Sequence, residues 1–271
     1  MPFFDGSRGR VHHDAWLPDG DVRAVVVLCH GDFGEHLGLY EPLGRRMAAD
    51  GIAVHALDAA GHGRSDGERD LTVSRDDQVE DARTLAGLAR ARHPGRPLVL
   101  MGHSGGGVAT LLLAQRSPEI ARALVVSAPP AQPLPWVEEL LAADAEVGEL
   151  DPAAAFSTHP GYLETLRTDP LVSRGPVPRR TVEAVVASWA AVTAGLAEGR
   201  PSVPTLVLHG EADPVVPVGD SRALVARLPH ATLRTFPGDL HDVLNEHDRD
   251  AVHDVVAGFV LAQVGPVAAR T

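Results

Sequence analysis

Three residue types in this chain can together turn a hydroxyl into a nucleophile. The first is Ser104, set in Gly102-His103-Ser104-Gly105-Gly106. A serine hydroxyl is a poor nucleophile at neutral pH. It needs a base to take its proton, and the base needs a partner that fixes its tautomer and stabilises its cationic form. Asp213 and His241 follow the serine in that order. Such a set attacks acyl carbonyls, and the oxyanion it creates needs two aimed donors. One is the N–H of Gly105, directly after the serine. The other comes from His30-Gly31-Asp32, with the Asp32 N–H the first choice and Phe33 its neighbour. Losing one such donor typically costs ~10²–10³ in rate.

These residues have to be carried to one place by the fold. Leu98-Val99-Leu100-Met101 is an apolar run entering the glycine cluster, and Val108-Ala109-Thr110-Leu111-Leu112-Leu113 follows it. The pattern predicts a buried strand, a sharp turn and a buried helix. Gly102 and Gly106 suit that turn, because only a residue without Cβ lets the backbone pass so close to itself. The first N–H groups of the helix then face whatever binds there. A glycine-rich turn with an incidental serine is the alternative.

Further continuous apolar runs predict strands over 23–29, 52–57, 123–127, 203–209 and 231–236, with helices between them. The helices are seen in Tyr40, Leu43 and Met47, in the stripe Val79 to Ala89, over about 218–228 and over 248–263. An early edge hairpin fits residues 8–17. Strands buried on both faces and alternating with helices predict a doubly wound, mostly parallel sheet of the α/β class. Ser104, Asp213 and His241 each fall just after a predicted strand, on one edge of that sheet. The alternation stops at Pro129-Pro130. Residues 129–202 read as a helical cap inserted into a core of 1–128 and 203–271, lying over the carboxyl edge of the sheet. Its helices are expected around Trp136 to Leu141, in an acidic stretch with Glu138, Glu139, Asp144 and Glu146, and from Val182 to Leu196. Trp136, Val137, Leu140 and Leu141 could form an apolar lip that touches lipid, or pack on the core. Residues 264–271 are expected to fray.

Other residues compete for these roles. Glu211 is a second candidate for the acid. His230 precedes a strand and sits at the wrong edge, and His247 and His253 are expected on the outer face of the last helix. Asp58 is expected to hold the loop Gly61-His62-Gly63-Arg64-Ser65-Asp66-Gly67. His12-His13-Asp14 lacks the spacing of a zinc motif and reads as solvated histidines. No metal site and no cofactor is expected.

The chain has 271 residues and a net charge of −12, so it lacks a basic footprint for nucleic acid. Its single cysteine, Cys29, excludes an intrachain disulfide and reads as a small buried hydrophobe. No apolar run approaches the ~20 residues that span a bilayer. The N-terminal residues lack a charged and apolar leader pattern, so a cytoplasmic protein is expected.

His30-Gly31 followed by Gly34-Glu35-His36, Asp58 with the three-glycine loop, Gly102-His103-Ser104-Gly105-Gly106, Thr168 to Val172 and His241 to Glu246 together resemble the monoacylglycerol lipase family of serine α/β-hydrolases. The resemblance covers nearly the whole chain. It implies the α/β-hydrolase fold, a cap over an acyl pocket and hydrolysis of one ester bond in a small single-chain lipid. The chain departs from the family at four places. Asp32-Phe33 gives two residues between His-Gly and Gly-Glu-His where one is usual. Gly105 replaces the usual methionine. Leu39 and Leu244 stand where animal members carry an arginine and a second histidine near the glycerol end. The sequence therefore predicts an ester hydrolase acting on monoacylglycerols, with a broad carboxylesterase, a lysophospholipase or an acyltransferase as neighbouring readings. A non-hydrolytic small-molecule-binding protein on the same scaffold is the reading from another class.

Overall fold

A computed structural model describes residues 2–142 and 155–264. Its centre is an eight-stranded sheet formed by β1 (Phe3–Gly6), β2 (Gly9–Trp16), β3 (Ala24–Cys29), β4 (Ile52–Leu57), β5 (Leu98–His103), β6 (Ala123–Ser127), β7 (Thr205–Gly210) and β8 (Ala231–Phe236). The strand order is β1-β2-β4-β3-β5-β6-β7-β8. The two pairings that involve β2 are antiparallel and the others are parallel.

The continuous apolar runs have the cause expected of them. Every residue of β3, β4, β5 and β6 is buried, because helices cover both faces. Val25, Val27, Leu98 and Leu100 join one apolar cluster with Val79, Leu85, Val108 and Leu112. The last four lie on α2 (Arg75–Arg92) and α3 (Ser104–Arg116). Val26, Leu28, Val99 and Met101 point the other way and pack with Leu43 and Met47 of α1 (Glu41–Ala49). Truncating a fully buried residue such as Leu100 to alanine would cost ~2–5 kcal/mol. Ser74 starts α2 by accepting the Asp76 N–H at 3.1 Å, with Asp76 and Asp77 in the first turn.

Between β6 and β7 run α4 (Pro135–Ala142), α5 (Pro160–Thr168) and α6 (Arg179–Ala197). The helix at 160–168 was not foreseen, because prolines and glycines interrupt the pattern around it. Its start is set by His159, whose side chain accepts the Tyr162 N–H. Leu134, Val137, Val182, Val185 and Trp189 from this stretch pack with Val215 and Val216 from the loop after β7. Trp136, Leu140 and Leu141 lie half-buried against the same cluster. These residues thus pack inward, with part of Trp136, Leu140 and Leu141 left exposed. Trp136 Nε1–H donates to the Val215 carbonyl at 3.0 Å and Val137 is buried. Asp144, Glu146 and the tail from 265 lie outside the described residues.

Two histidine assignments need correction. His12 is not solvated but fully buried, with Nδ1 2.8 Å from Asp58 Oδ2. His253 lies on α8 (Arg249–Val264) but faces inward, with Nε2 2.8 Å from the Leu244 carbonyl. A buried ring with a polar partner has the same sequence signature as an exposed one. Among the described residues, no helix is long and apolar enough to cross a membrane.

Candidate active site

Ser104 sits where β5 passes into α3, and its φ is +48°, a strained value for a residue with a side chain. The turn is as tight as the glycines suggest. A Cβ on Gly102 would collide with the backbone of Gly106, and one on Gly106 with the backbone of Cys29 and His30. α7 (Val218–Ala226) follows β7, and the turn between them carries Asp213. The loop after β8 carries His241. Ala212 N–H donates to the Asp239 carbonyl at 3.0 Å and ties those two loops together.

The three expected side chains meet. Ser104 Oγ lies 2.9 Å from His241 Nε2, and His241 Nδ1 lies 2.7 Å from Asp213 Oδ2. All three are buried. A proton on Nδ1 directed at Asp213 leaves Nε2 free to accept the serine proton. Burial alone would raise the Asp213 pKa. His241, His209 and the Val216 N–H override that and hold the carboxyl well below the usual carboxylate range. Its other oxygen accepts the N–H groups of Val215 at 2.8 Å and Val216 at 3.0 Å. Glu211 is exposed and accepts the Thr235 hydroxyl at 2.8 Å, whereas Asp213 is the carboxylate that meets His241. His230 is exposed ahead of β8. His247 is also exposed, but in the turn before α8 rather than on it.

The loop after β3 faces the serine. Asp32 is buried, Phe33 has a φ of +60°, and neither N–H has an acceptor among the described residues. Both residues line a narrow apolar cleft together with Ser104. Its walls are Leu134, Trp136, Val137, Val182, Val185, Val215 and Val216, with Pro130 and Thr181. The Gly105 N–H belongs to the first turn of α3, whose N–H groups have no intrahelical acceptor. The site thus offers a hydroxyl with a base, unpartnered N–H groups in the loop after β3 and an apolar slot. That set suits acyl transfer from a substrate with one aliphatic arm.

Several supporting residues escaped the sequence reading. His209, inside β7, has Nε2 3.1 Å from Asp213 Oδ2 and Nδ1 2.7 Å from Ser221 Oγ. No spacing rule marks it, because His209 lies in a strand and Asp213 in the turn after it, where i, i+4 neighbours do not share a face. Glu246 accepts the N–H groups of Thr158 at 2.9 Å and Leu240 at 3.2 Å, joining the helical insertion to the His241 loop. Asp169 Oδ2 meets His36 Nε2 at 3.1 Å across the same boundary. Asp58 plays its expected part, accepting the N–H groups of Leu37 at 2.8 Å and Arg64 at 2.9 Å.

Behind His241 lies a buried polar cluster. The rings of His103 and His241 are 4.8 Å apart. Ligand-type atoms of Glu35, His103 and Asp242 lie within 4.8 Å of one another, the one such grouping among the described residues. Tyr40 donates to Glu35 at 2.6 Å and Tyr162 to Asp242 at 2.7 Å. Burial, then the nearby Asp242, push the Glu35 carboxyl up to about 8. A proton on Glu35 therefore offsets the clash of two buried carboxylates. Leu39 and Leu244 are buried in the core.

Comparison with known proteins places the chain in a family. The family described as Hydrolase_4, serine aminopeptidase S33, matches residues 20–248. A monoacylglycerol lipase of Mycolicibacterium smegmatis is 36% identical over 279 aligned residues, covering 96% of each chain. The human monoglyceride lipase is 28% identical, over 89% of this chain and 83% of the human one. Among solved structures, the Paleococcus ferrophilus monoacylglycerol lipase superposes with a TM-score of 0.77 at 25% identity, covering 93% of this chain and 99% of its own. With a matched core, a mostly parallel sheet and a relative this similar from end to end, the chain belongs to the serine aminopeptidase S33 family of α/β-hydrolases.

Proposed function

We propose that this chain is a serine carboxylic ester hydrolase that cleaves monoacylglycerols and similar single-chain esters through an acyl-enzyme on Ser104. The observation that carries the reading is the hydrogen-bonded series Ser104–His241–Asp213, at 2.9 and 2.7 Å. Ser104 Oγ attacks the carbonyl carbon while His241 Nε2 takes its proton. Asp213 holds the imidazole and stabilises its cation. The N–H groups of Gly105 and Asp32, with Phe33 beside it, receive the oxyanion. His241 then protonates the departing alkoxide, which leaves as the alcohol. Water repeats the sequence on the acyl-enzyme, with His241 again as base, and releases the fatty acid.

The substrate class draws its support from the apolar cleft and from the printed activities of the relatives. Residues 129–202 act in this reading as a cap over the core of 1–128 and 203–271. Contact with a lipid surface through α4 is its outermost part, supported by the half-buried Trp136, Leu140 and Leu141 beside the cleft. Liposome cosedimentation of the wild type against a W136S/L140S variant tests that contact, and equal binding removes it. A cytoplasmic setting is also part of the reading; it is supported by Cys29, which is buried and unpaired.

The test is labelling with a fluorophosphonate, followed by turnover of an ester panel. Stable labelling of Ser104, and its loss in S104A with a fall of ~10⁴–10⁶ in turnover, is expected. An unlabelled wild type points to the non-hydrolytic binder. Equal rates across monoacylglycerols, lysophospholipids and simple alkyl esters would make the enzyme a broad carboxylesterase.

A further inference from the structure

The extra residue in the loop after β3 and the glycine after the nucleophile have a common explanation. Asp32 is met by Arg75, the first residue of α2, in a two-pronged ion pair: Nη1 to Oδ1 at 3.0 Å and Nη2 to Oδ2 at 2.7 Å. Gln78 bonds to both partners, with its Oε1 on Arg75 and its Nε2 3.5 Å from Asp32 Oδ1. Both charged side chains are almost completely buried, at 2% and 4% exposure. The pair fills the space beside residue 105. A Cβ there would collide with the Asp32 carboxylate and stand 2.8 Å from Arg75 Nη1. The same Asp32 lines the cleft together with Ser104.

A buried carboxylate so close to the nucleophile is a hazard for this chemistry. Negative charge develops on the carbonyl oxygen in the transition state, and a second, uncompensated anion would oppose it. Burial would raise the Asp32 pKa, but the charge and hydrogen bonds of Arg75 hold it at about 2, so the carboxylate is ionised throughout the working range. A planar guanidinium fork both cancels that charge and fixes its orientation, which a single-point cation does not.

We propose that Arg75 is a positioning residue of the oxyanion site: its ion pair with Asp32 pins the cleft-lining loop of Asp32 and Phe33, whose N–H groups have no acceptor among the described residues, and it neutralises the carboxylate that would otherwise repel the oxyanion. This inference rests on the hydrolase reading above. It goes further by making residue 75, outside every motif of the chain, a determinant of turnover.

The test compares charge-unpaired with charge-balanced variants, using kcat and KM for a p-nitrophenyl ester. R75Q leaves Asp32 unpaired and should lower kcat by about 10²-fold with KM changed less than about threefold, the scale of one lost oxyanion donor. R75K and the D32N/R75Q double variant keep the charges balanced but lose the two-pronged geometry, and should recover at least about tenfold of the activity that R75Q loses. Inactivation by the fluorophosphonate should fall in parallel, because its phosphoryl oxygen occupies the same position. A purely structural role would instead make the double variant no better than R75Q. That result, or an R75Q kcat within threefold of the wild type, overturns the inference. Where R75Q does not fold, the balanced variants decide: both within tenfold of the wild type sustain it, and a greater loss in either, at unchanged thermal stability, ends it. A wild type that neither labels nor turns over overturns the hydrolase reading and this inference together. A wild type that does both, with R75Q unaffected, overturns this inference alone.

Discussion

His209 and His241 converge on the same oxygen of Asp213, at 3.1 and 2.7 Å. The two rings do different work. His241 presents its far nitrogen to Ser104, whereas His209 spends its own on structure. Its Nδ1 receives the Ser221 hydroxyl and its Nε2–H reaches the Val216 carbonyl at 2.8 Å. H209L strips partners from buried polar groups, at a cost of about 2 kcal/mol. For a chain of this size, a drop in melting temperature of about 4–8 °C is expected by calorimetry. An unchanged melting temperature would mean that His209 is dispensable to the loop.

Asp213 itself should be far more sensitive. D213N keeps the shape but can no longer hold the proton on His241 Nδ1 by charge, so kcat for a p-nitrophenyl ester should fall by ~10⁴ while the melting temperature changes little. Retention of more than a tenth of the activity would move the acid elsewhere.

Glu35 gives a prediction in pH. Its folded pKa is raised to about 8, first by burial and then by Asp242, with Asp32 adding to the repulsion. The facing His103 is itself pushed down to about 4, chiefly by burial. Unfolded, a glutamate titrates near ~4.3. The stability it contributes is therefore fully present below ~4.3 and is lost as pH rises through about 8. E35Q removes that dependence. Melting temperatures measured at about pH 5 and about pH 8 should show the variant gaining on the wild type at the higher pH. A constant difference between the two proteins would show that Glu35 is ionised in the fold.

G106A tests the turn under the nucleophile. A methyl group there meets the backbone of Cys29 and His30, which cannot step aside as a side chain could. Destabilisation of about 3 kcal/mol or more is expected in urea titration. A loss below 1 kcal/mol would mean that the turn has room to spare.

The meeting of Ser104, Asp213 and His241 was legible in the sequence because buried parallel strands announce themselves as unbroken apolar runs, and the loop after each run lands on a known edge. Ser104, Asp213 and His241 could be placed from that alone. What stayed hidden depends on neighbours far away in the chain. Arg75 reads as a helix-opening residue until Asp32 is beside it. His12 reads as solvated until Asp58 covers it, and His253 as exposed until it finds the Leu244 carbonyl. α5 was obscured by surrounding prolines and glycines, and its buried residues, Tyr162 and Leu166, join the same cluster as Leu43 and Met47, far away in the chain.

The apolar walls of the cleft come mostly from the stretch between β6 and β7, through Leu134, Trp136, Val137, Val182 and Val185. The reacting groups come from the ends of β5, β7 and β8. In the proposed reading, most of the slot and the three reacting groups come from separate stretches of the chain. Grafting the corresponding stretch of a relative onto this scaffold should retune which acyl lengths are accepted while sparing the rate of the chemical step, a division of labour that suits the protein to laboratory evolution.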